Sequence, residues 1–273
     1  LLNPLDGPFY REKSAVTKVD KIKIPVYAGN LWGHSSYTRG ALDLYRLIDP
    51  PKKLIMMPHE VMDHRPWRSF HDPILRWYDH WLKGIDTGMM EEPPVRLWVS
   101  GAEKWRDEYD WPLPTTRWTK FYLRSWEGLS LEPELHNDEP DCYLQQPLFV
   151  SFKRDSLKYQ TPPLPEDLTV IGLISLHIHA AIDQDDTNFQ VILSDVAEGG
   201  SARYLTQGWM KASHRRLDEG KSKPGEPYHP HKEVEPAVPG EIYEYAIGLS
   251  PTAHVFKAGH RVQVEILSMD SIR

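Results

Sequence analysis

Residues 22–57 read "IKIPVYAGNLWGHSSYTRGALDLYRLIDPPKKLIMM", and this stretch decides the fold class of the N-terminal third of the chain. It begins with an apolar run at 22–29 that ends in Gly29, and it closes with a second apolar run at 52–57. Short, continuous apolar runs are typical of strands buried in a parallel sheet. Between them, leucines and Tyr45 recur at helical spacing over 36–49. Strand, helix and strand in this order predict a βαβ unit and hence a parallel sheet.

A second helix is predicted over residues 72–84, where aromatic and aliphatic side chains recur at helical spacing. Asp72 and Pro73 would supply its N-cap and first helical residue, and Gly84 its C-terminal stop.

After residues 91–94 the pattern changes to short strand-length segments separated by Gly, Pro and Asp. These segments are VRLWVSG, RWTKFYLRS, LTVIGLISLHIHA, NFQVILSDV, EIYEYAIGLS and RVQVEILS. The polar residues 211–240 are predicted to form a long surface loop. The chain is therefore predicted to divide near residue 93 into an α/β part (1–92) and an all-β sandwich (93–273).

Composition and charge exclude several classes of protein. The 273 residues carry a formal net charge of −7 with a pI near 6.0. The sequence therefore lacks the excess of positive charge that is typical of a nucleic-acid-binding protein. Cys142 is the single cysteine, so no intramolecular disulfide forms. We recognise neither a membrane-spanning run nor a leader peptide, and we therefore expect a cytoplasmic protein without nucleic-acid or membrane partners. The oligomeric state has no signature in the sequence.

The segment LIMMPHEVMDHRPW (54–67) holds the strongest candidate for catalytic chemistry. In open α/β sheets, functional groups collect beyond the carboxyl ends of the strands, and His59 stands just after the run 52–57. We take His59 as the candidate general base, with His64 as the alternative. A loop histidine that bonds to solvent or backbone is the competing, structural interpretation.

A metal site formed by His59, Asp63 and His64 is a weaker interpretation. A zincin helix needs two histidines at i and i+4, whereas these two are five residues apart, and Pro58 argues against a continuous helix. Other polar groups favour exposed strand or solvated loop positions: His177 and His179 with the following Asp183, Asp185 and Asp186, and His229 with His231. We expect no metal and no other cofactor.

A serine nucleophile is not recognisable. The G-x-S-x-G motif, which places a serine on a strained strand-to-helix turn, does not occur in these 273 residues. Ser35 and Ser36 follow the first predicted strand but lack glycine flanks, and they equally suit capping of the next helix.

The segment LRWYDHWLKGIDTGMMEEPPVRLWVSGAEKWRDEYDWPLP (75–114) resembles the junction between hydrolase domain and jelly roll in the cocaine-esterase/Xaa-Pro dipeptidyl-peptidase family of α/β-hydrolases. FYLRSWEGLS, DTNFQVILSDV and PGEIYEYAIGLSPTAHVFKAGHRVQVEI resemble successive strands and turns of that jelly roll. The resemblance implies the C-terminal part of an α/β-hydrolase domain (1–92) followed by a galactose-binding-like jelly roll (93–273). It also implies that an ester or amide of a small-molecule or peptide acyl substrate is cleaved through an acyl-enzyme, with the nucleophile half of the protein upstream of Leu1.

The match departs from the family at the site itself. The family's triad aspartate matches His34, next to Ser35, and its histidine matches Val61, between His59 and His64. Neither His34 nor Ser35 replaces an orienting carboxylate, whose loss costs a triad about ten-thousandfold in rate.

Three functions therefore stay open. The first is a serine hydrolase of which this fragment alone is inactive. The second is a catalytically degenerate relative whose jelly roll has a binding or assembly role. The third and weakest is a metal-dependent hydrolase.

Overall fold

The computed structural model describes residues 3–33, 37–58, 70–133, 139–146, 150 and 154–268. The described chain is mostly β, with helices α1 (Pro8–Lys13), α2 (Thr38–Leu47) and α3 (His71–Lys83). The smaller sheet contains β1 (Val26–Leu31), β2 (Lys52–Met57), β3 (Val95–Val99) and β4 (Lys104–Glu108). The larger sheet contains β5 (Tyr122–Arg124), β6 (Gly128–Ser130), β7 (Ser156–Gln160), β8 (Leu168–Ala181), β9 (Asn188–Val196), β10 (Ala202–Lys211), β11 (Ile242–Phe256) and β12 (Arg261–Leu267).

The smaller sheet has the strand order β1–β2–β3–β4. The first three strands are parallel and β4 is antiparallel to β3. The predicted βαβ unit is thus confirmed as β1–α2–β2. Helix α2 buries Leu42 and Tyr45 in the same cluster as Leu54 and Met56 of β2. Since β2 lies between two strands and is buried from Lys53 to Met57, its continuous apolar run matches its position in the sheet.

Two predicted boundaries were wrong by a few residues. The first strand begins at Val26 rather than at residue 22, because Pro25 has no backbone N–H and the Val26 N–H is the one that bonds, to Pro51 O at 3.0 Å. Helix α3 begins at His71, so Asp72 lies in its first turn and is not its N-cap. Its predicted end is confirmed, since Gly84 has the left-handed φ of 70° that a C-terminal stop requires.

The larger sheet has the order β5–β6–β7–β12–β9–β10–β11–β8. Neighbours are antiparallel except for β6 and β7. All six predicted strand segments contain a strand, and four further strands were not among the predicted segments: β4, β6, β7 and β10. The assignment of these eight strands as a jelly roll stays a prediction.

The smaller sheet extends past the predicted division near residue 93, since β3 and β4 lie after it and β3 pairs with β2. The division of the chain at that residue stays a prediction. The two sheets also share a core, in which Ala253 and Val255 of β11 pack among residues of β1, β2, β3 and α2. Backbone bonds join them as well: Ser100, after β3, donates to Ala253 O (3.1 Å) and accepts from Val255 N (2.8 Å).

The long loop between β10 and β11 agrees with the prediction for 211–240, and most of it is exposed. One of its side chains, Glu226, nevertheless reaches α2, where Arg46 binds its two carboxylate oxygens at 3.2 and 3.1 Å. None of the helices in the described part of the chain has the length and apolar character needed to span a bilayer.

Candidate functional site

The carboxyl ends of the three parallel strands meet at one edge of the smaller sheet, which we call the carboxyl edge (Leu31, Met57 and Val99). Trp32 N donates to Met57 O at 3.0 Å, so the ends of β1 and β2 are joined directly. In the sequence, residues 34–36 come shortly after β1 and residues 59–69 shortly after β2. In open α/β sheets this is the place where binding and catalytic side chains collect.

The chain on either side of residues 34–36 is anchored by buried polar bonds. On the N-terminal side, Trp32 is buried and its Nε1 donates to Trp98 O at 2.7 Å. On the C-terminal side, the hydroxyl of Thr38 donates to Leu31 O at 2.7 Å, and Thr38 is fully buried. The chain is thus held at the carboxyl edge on both sides of residues 34–36.

The predicted site residues themselves lie outside the described residues. This applies to His59, the candidate base, to its alternative His64, and to the further residues His34, Ser35, Ser36, Val61 and Asp63. Their catalytic roles and the weaker metal set stay predictions. The structure locates only the anchors of their segments, Pro58 after β2 and Phe70 before α3.

A buried chain of hydrogen bonds adjoins the carboxyl edge and was not predicted from the sequence. Ser100 Oγ lies 2.9 Å from His254 Nδ1, and His254 Nε2 lies 2.9 Å from Asp195 Oδ2. The other oxygen of Asp195 accepts from His260 Nδ1 at 2.9 Å. A histidine and an aspartate inside the apolar strands β11 and β9 were the available signal, because such residues are buried only when they are paired.

This hydrogen-bond chain has the order hydroxyl, imidazole, carboxylate that a serine hydrolase uses, but its surroundings favour a structural role. His254 is fully buried, so a substrate has no access to the ring. Burial lowers the pKa of His254 and outweighs the opposing effect of Asp195, which keeps the ring neutral. Since Asp195 accepts from Nε2, Nδ1 is left as the acceptor for Ser100. The hydrogen-bond chain therefore ties Ser100, which follows β3 of the smaller sheet, to β11 and β9 of the larger one.

The other predicted clusters also have defined positions. His177 is exposed on β8 with its Nδ1 3.4 Å from Glu244, as expected for an exposed strand face. Asp186 accepts from Ser213 N (2.9 Å) and Ser213 Oγ (2.8 Å); burial raises its pKa, but these bonds and Lys211 outweigh burial and hold it below the usual range. Within the described ranges, no group of three or more His, Cys, Asp or Glu side chains is placed to hold a metal ion.

The interpretation of His229 as a solvated loop residue was wrong. Its Nδ1 lies 3.0 Å from Arg216 O and its Nε2 lies 2.8 Å from Ala246 O, so the ring fastens the loop to β11. His231 is exposed, but its Nδ1 also has a partner, His214 Nδ1 at 3.1 Å. The contacts of His229 were not predictable from the sequence, because both partner atoms are backbone carbonyl oxygens, which no side-chain pattern identifies.

Comparison with known families agrees with the fold. The sequence profile described as "X-Pro dipeptidyl-peptidase C-terminal non-catalytic domain" matches residues 87–272. The chain belongs to this family. The resemblance to cocaine esterases and Xaa-Pro dipeptidyl-peptidases is thereby confirmed, and the chain corresponds to their C-terminal part.

Relatives of this family member are named as hydrolases. Cocaine esterase of Rhodococcus sp. is 31% identical over 225 residues, which cover 70% of this chain and 37% of the relative. A Mycobacterium bovis protein, provisionally named a serine esterase, is 28% identical over 291 residues, covering 90% of this chain and 45% of the relative. The chain thus spans less than half the length of these curated relatives.

Solved structures share the fold. A CocE/NonD family hydrolase from Staphylococcus aureus superposes with a TM-score of 0.82 at 18% identity, over 97% of this chain and 49% of that one. An α-amino acid ester hydrolase gives a TM-score of 0.77 at 19% identity, over 98% and 52%. The mostly β architecture is therefore that of the C-terminal part of CocE/NonD hydrolases.

Proposed function

We propose that this chain is part of a serine hydrolase that cleaves an ester or amide through an acyl-enzyme. In this proposal the smaller sheet is the C-terminal part of an α/β-hydrolase domain, and the larger sheet is its jelly roll. The nucleophile lies in the portion of the relatives' length that the chain does not cover, since these 273 residues contain no G-x-S-x-G. We also propose a cytoplasmic location, because a single cysteine needs no oxidising compartment.

The carboxyl edge carries this proposal. Residues 34–36 follow β1 and residues 59–69 follow β2, and the ends of these two neighbouring strands are joined by the Trp32–Met57 bond. A base and its orienting group on these segments would start from adjacent points of one rigid sheet. Such placement is what general base catalysis requires, because base and reacting proton must come within hydrogen-bond distance.

His59 is proposed as the general base, with His64 as the alternative. His59 is separated from the buried end of β2 by Pro58 alone, whereas His64 lies five residues further along. A residue close to a buried strand has fewer conformations available, so its imidazole loses less entropy when it is positioned for catalysis.

Fluorophosphonate labelling of the full-length protein tests the proposal. His59→Ala is expected to lower the labelling rate about a hundredfold or more, because the serine loses its base. His64→Ala and the control His177→Ala, which removes an exposed histidine of β8, are expected to label like the unaltered protein. Loss of label in His64→Ala alone would instead assign the base to His64.

A second candidate is a catalytically degenerate relative with a binding or assembly role. The histidine at position 34, where the family has its aspartate, favours it. A full-length protein that takes no label under any condition, while remaining folded, would support this candidate and refute the hydrolase.

A further inference from the structure

A cavity of about 410 Å³ lies at the smaller sheet, and its lining does not include Ser100, His254 or Asp195. It is lined by residues from α3, from the loop after α3 and from all four strands β1–β4. This volume is in the range of sites that bind small molecules. None of the functions considered above uses it.

The charged side chains that line the cavity have a positive balance. They are three cations and two anions: Lys53, Arg76, Arg96, Glu92 and Asp107. The whole chain, by contrast, carries a formal charge of −7. A positive cavity on an acidic protein concentrates anions locally and disfavours cations.

Lys53 contributes a buried positive charge that no carboxylate among the described residues contacts. It is only 4% exposed, and its ammonium group donates to two backbone carbonyls, Glu92 O at 3.1 Å and Pro93 O at 3.2 Å. The carboxylate of Glu92 is bound by Arg76 at 2.6 Å instead. Burial lowers the pKa of Lys53, as expected for a cation that neutral acceptors satisfy only in part.

Arg96 offers an open guanidinium to the cavity. Its nearest anionic partner among the described residues is Asp107, at 3.7 Å from Nε, which is too long for a hydrogen bond. The guanidinium lies over the ring of Trp105, 5.2 Å from its centre. Its terminal N–H groups therefore have no acceptor in the described part of the chain, and they form the fork that binds a carboxylate in bidentate geometry.

Tyr27 also lines the cavity and carries a hydroxyl. The four charged groups that act on its titration, Arg96, Glu92, Arg76 and Asp107, all line the cavity. Burial raises the pKa of Tyr27 to about 12, so the hydroxyl is a neutral donor near pH 7. No described residue accepts a hydrogen bond from it.

The remaining wall is aromatic and apolar. Phe70 and Trp105 meet edge to face, with ring centres 6.0 Å apart, and Ile55 and Met89 also line the cavity. Such a wall gains free energy by covering an apolar body but has no polar groups to satisfy a second charged end.

We propose that this cavity binds a small monocarboxylate with an aromatic or apolar body. The carboxylate would bond to the guanidinium of Arg96 and the hydroxyl of Tyr27, and the body would pack against Phe70 and Trp105. A monoanion matches the balance of three cations over two anions, whereas a dianion such as a phosphate monoester would meet repulsion from Glu92 and Asp107. The site is independent of the proposed hydrolase, because it needs no residue of the carboxyl edge.

Isothermal titration calorimetry with phenylacetate tests this site, and phenylacetamide is the neutral probe of the same shape. Phenylacetate is expected to bind with a Kd of about 1 mM or tighter, and phenylacetamide at least about tenfold more weakly. Arg96→Gln is expected to weaken phenylacetate binding about tenfold or more, and Tyr27→Phe several-fold. Arg216→Gln, which removes a guanidinium that does not line the cavity, is the matched control and should bind as the unaltered protein does.

The proposal is overturned if phenylacetate and phenylacetamide bind equally, if neither binds, or if Arg96→Gln binds like the control. Arg96→Lys keeps the charge and loses the bidentate fork, so it should also weaken binding. This second variant covers the case in which Arg96→Gln does not fold. Labelling by fluorophosphonate is expected to be unchanged in all these variants, so failure of this site and failure of the proposed hydrolase give different results.

Discussion

Replacing Asp195 by alanine should destabilise the protein far more than a typical loss of a carboxylate. Its two oxygens accept from His254 and His260, each at 2.9 Å, and Asp195 is 6% exposed. In Asp195→Ala, His260 can turn toward water because its side chain is 26% exposed, but fully buried His254 cannot. An orphaned buried donor costs about 1–3 kcal/mol, and with the lost contacts of the carboxylate we expect a loss of about 2–4 kcal/mol.

Asp195→Asn should lower the free energy of unfolding much less, because every member of the hydrogen-bond chain can keep a partner when the donors and acceptors are reversed. The asparagine amide would donate to His254 Nε2, and His254 Nδ1–H would donate to Ser100 Oγ. The Ser100 hydroxyl would then donate to Ala253 O, which already lies 3.0 Å away. Neutral bonds replace charge-assisted ones, so we expect a loss of only about 1 kcal/mol.

Urea unfolding followed by tryptophan fluorescence measures these differences at pH 7.5. The matched controls are Asp183→Ala and Asp183→Asn, at an exposed position, for which we expect changes within about 0.5 kcal/mol. If Asp195→Ala were no worse than Asp183→Ala, the buried chain would not hold the sheets together. If Asp195→Asn were as harmful as Asp195→Ala, the reversal of donors would be refuted.

Three further predictions concern the same junction and its surroundings. Burial lowers the pKa of His254 below the unfolded value of about 6.5, so the unfolded chain binds a proton that the folded chain does not. The free energy of unfolding should therefore fall as pH drops through 6.5 toward the folded pKa. Urea titrations from pH 8 downward should show that this fall with pH is shallower in His254→Gln, and equal slopes would contradict this. Gly101→Ala should lower the free energy of unfolding by about 1–3 kcal/mol more than Gly84→Ala does. Both residues have positive φ (78° and 70°), but a Cβ at position 101 overlaps a carbonyl of β11 whereas position 84 is open. Equal urea midpoints would refute the close approach. Glu226→Gln should lose about 1 kcal/mol at low ionic strength and less in salt, since its ion pair with Arg46 is less than one-fifth exposed; a loss that does not depend on salt would contradict the ion pair.

Much of the smaller sheet could be predicted from the sequence, because its signals are local. The apolar run 52–57 coincides with β2, and Gly84 stops α3, since burial on both faces and a left-handed φ each restrict the residue type directly. Strand β10 escaped prediction although it is ten residues long, because its apolar and polar residues do not alternate cleanly across a register shift near Leu205.

The candidate functional site likewise has a part that could be predicted from the sequence and a part that could not. Position along the chain was enough to place His59 after a buried strand, since the order of strand and loop is written in the sequence. The cavity and its positive balance were not predictable, because Tyr27, Lys53 and Arg96 come from three strands that only pairing brings side by side.

The sequence by itself determined the parallel β1–α2–β2 unit, most strand segments and membership in the family, because periodicity, stop residues and characteristic phrases are properties of contiguous residues. Only the tertiary structure decided that β3 continues the smaller sheet and that Ser100, Asp195 and His254 meet between the two sheets. Their separations of 154 and 59 residues along the chain leave no local trace. Such contacts depend on strand order and register, which are set by the packing of the whole core rather than by any one segment.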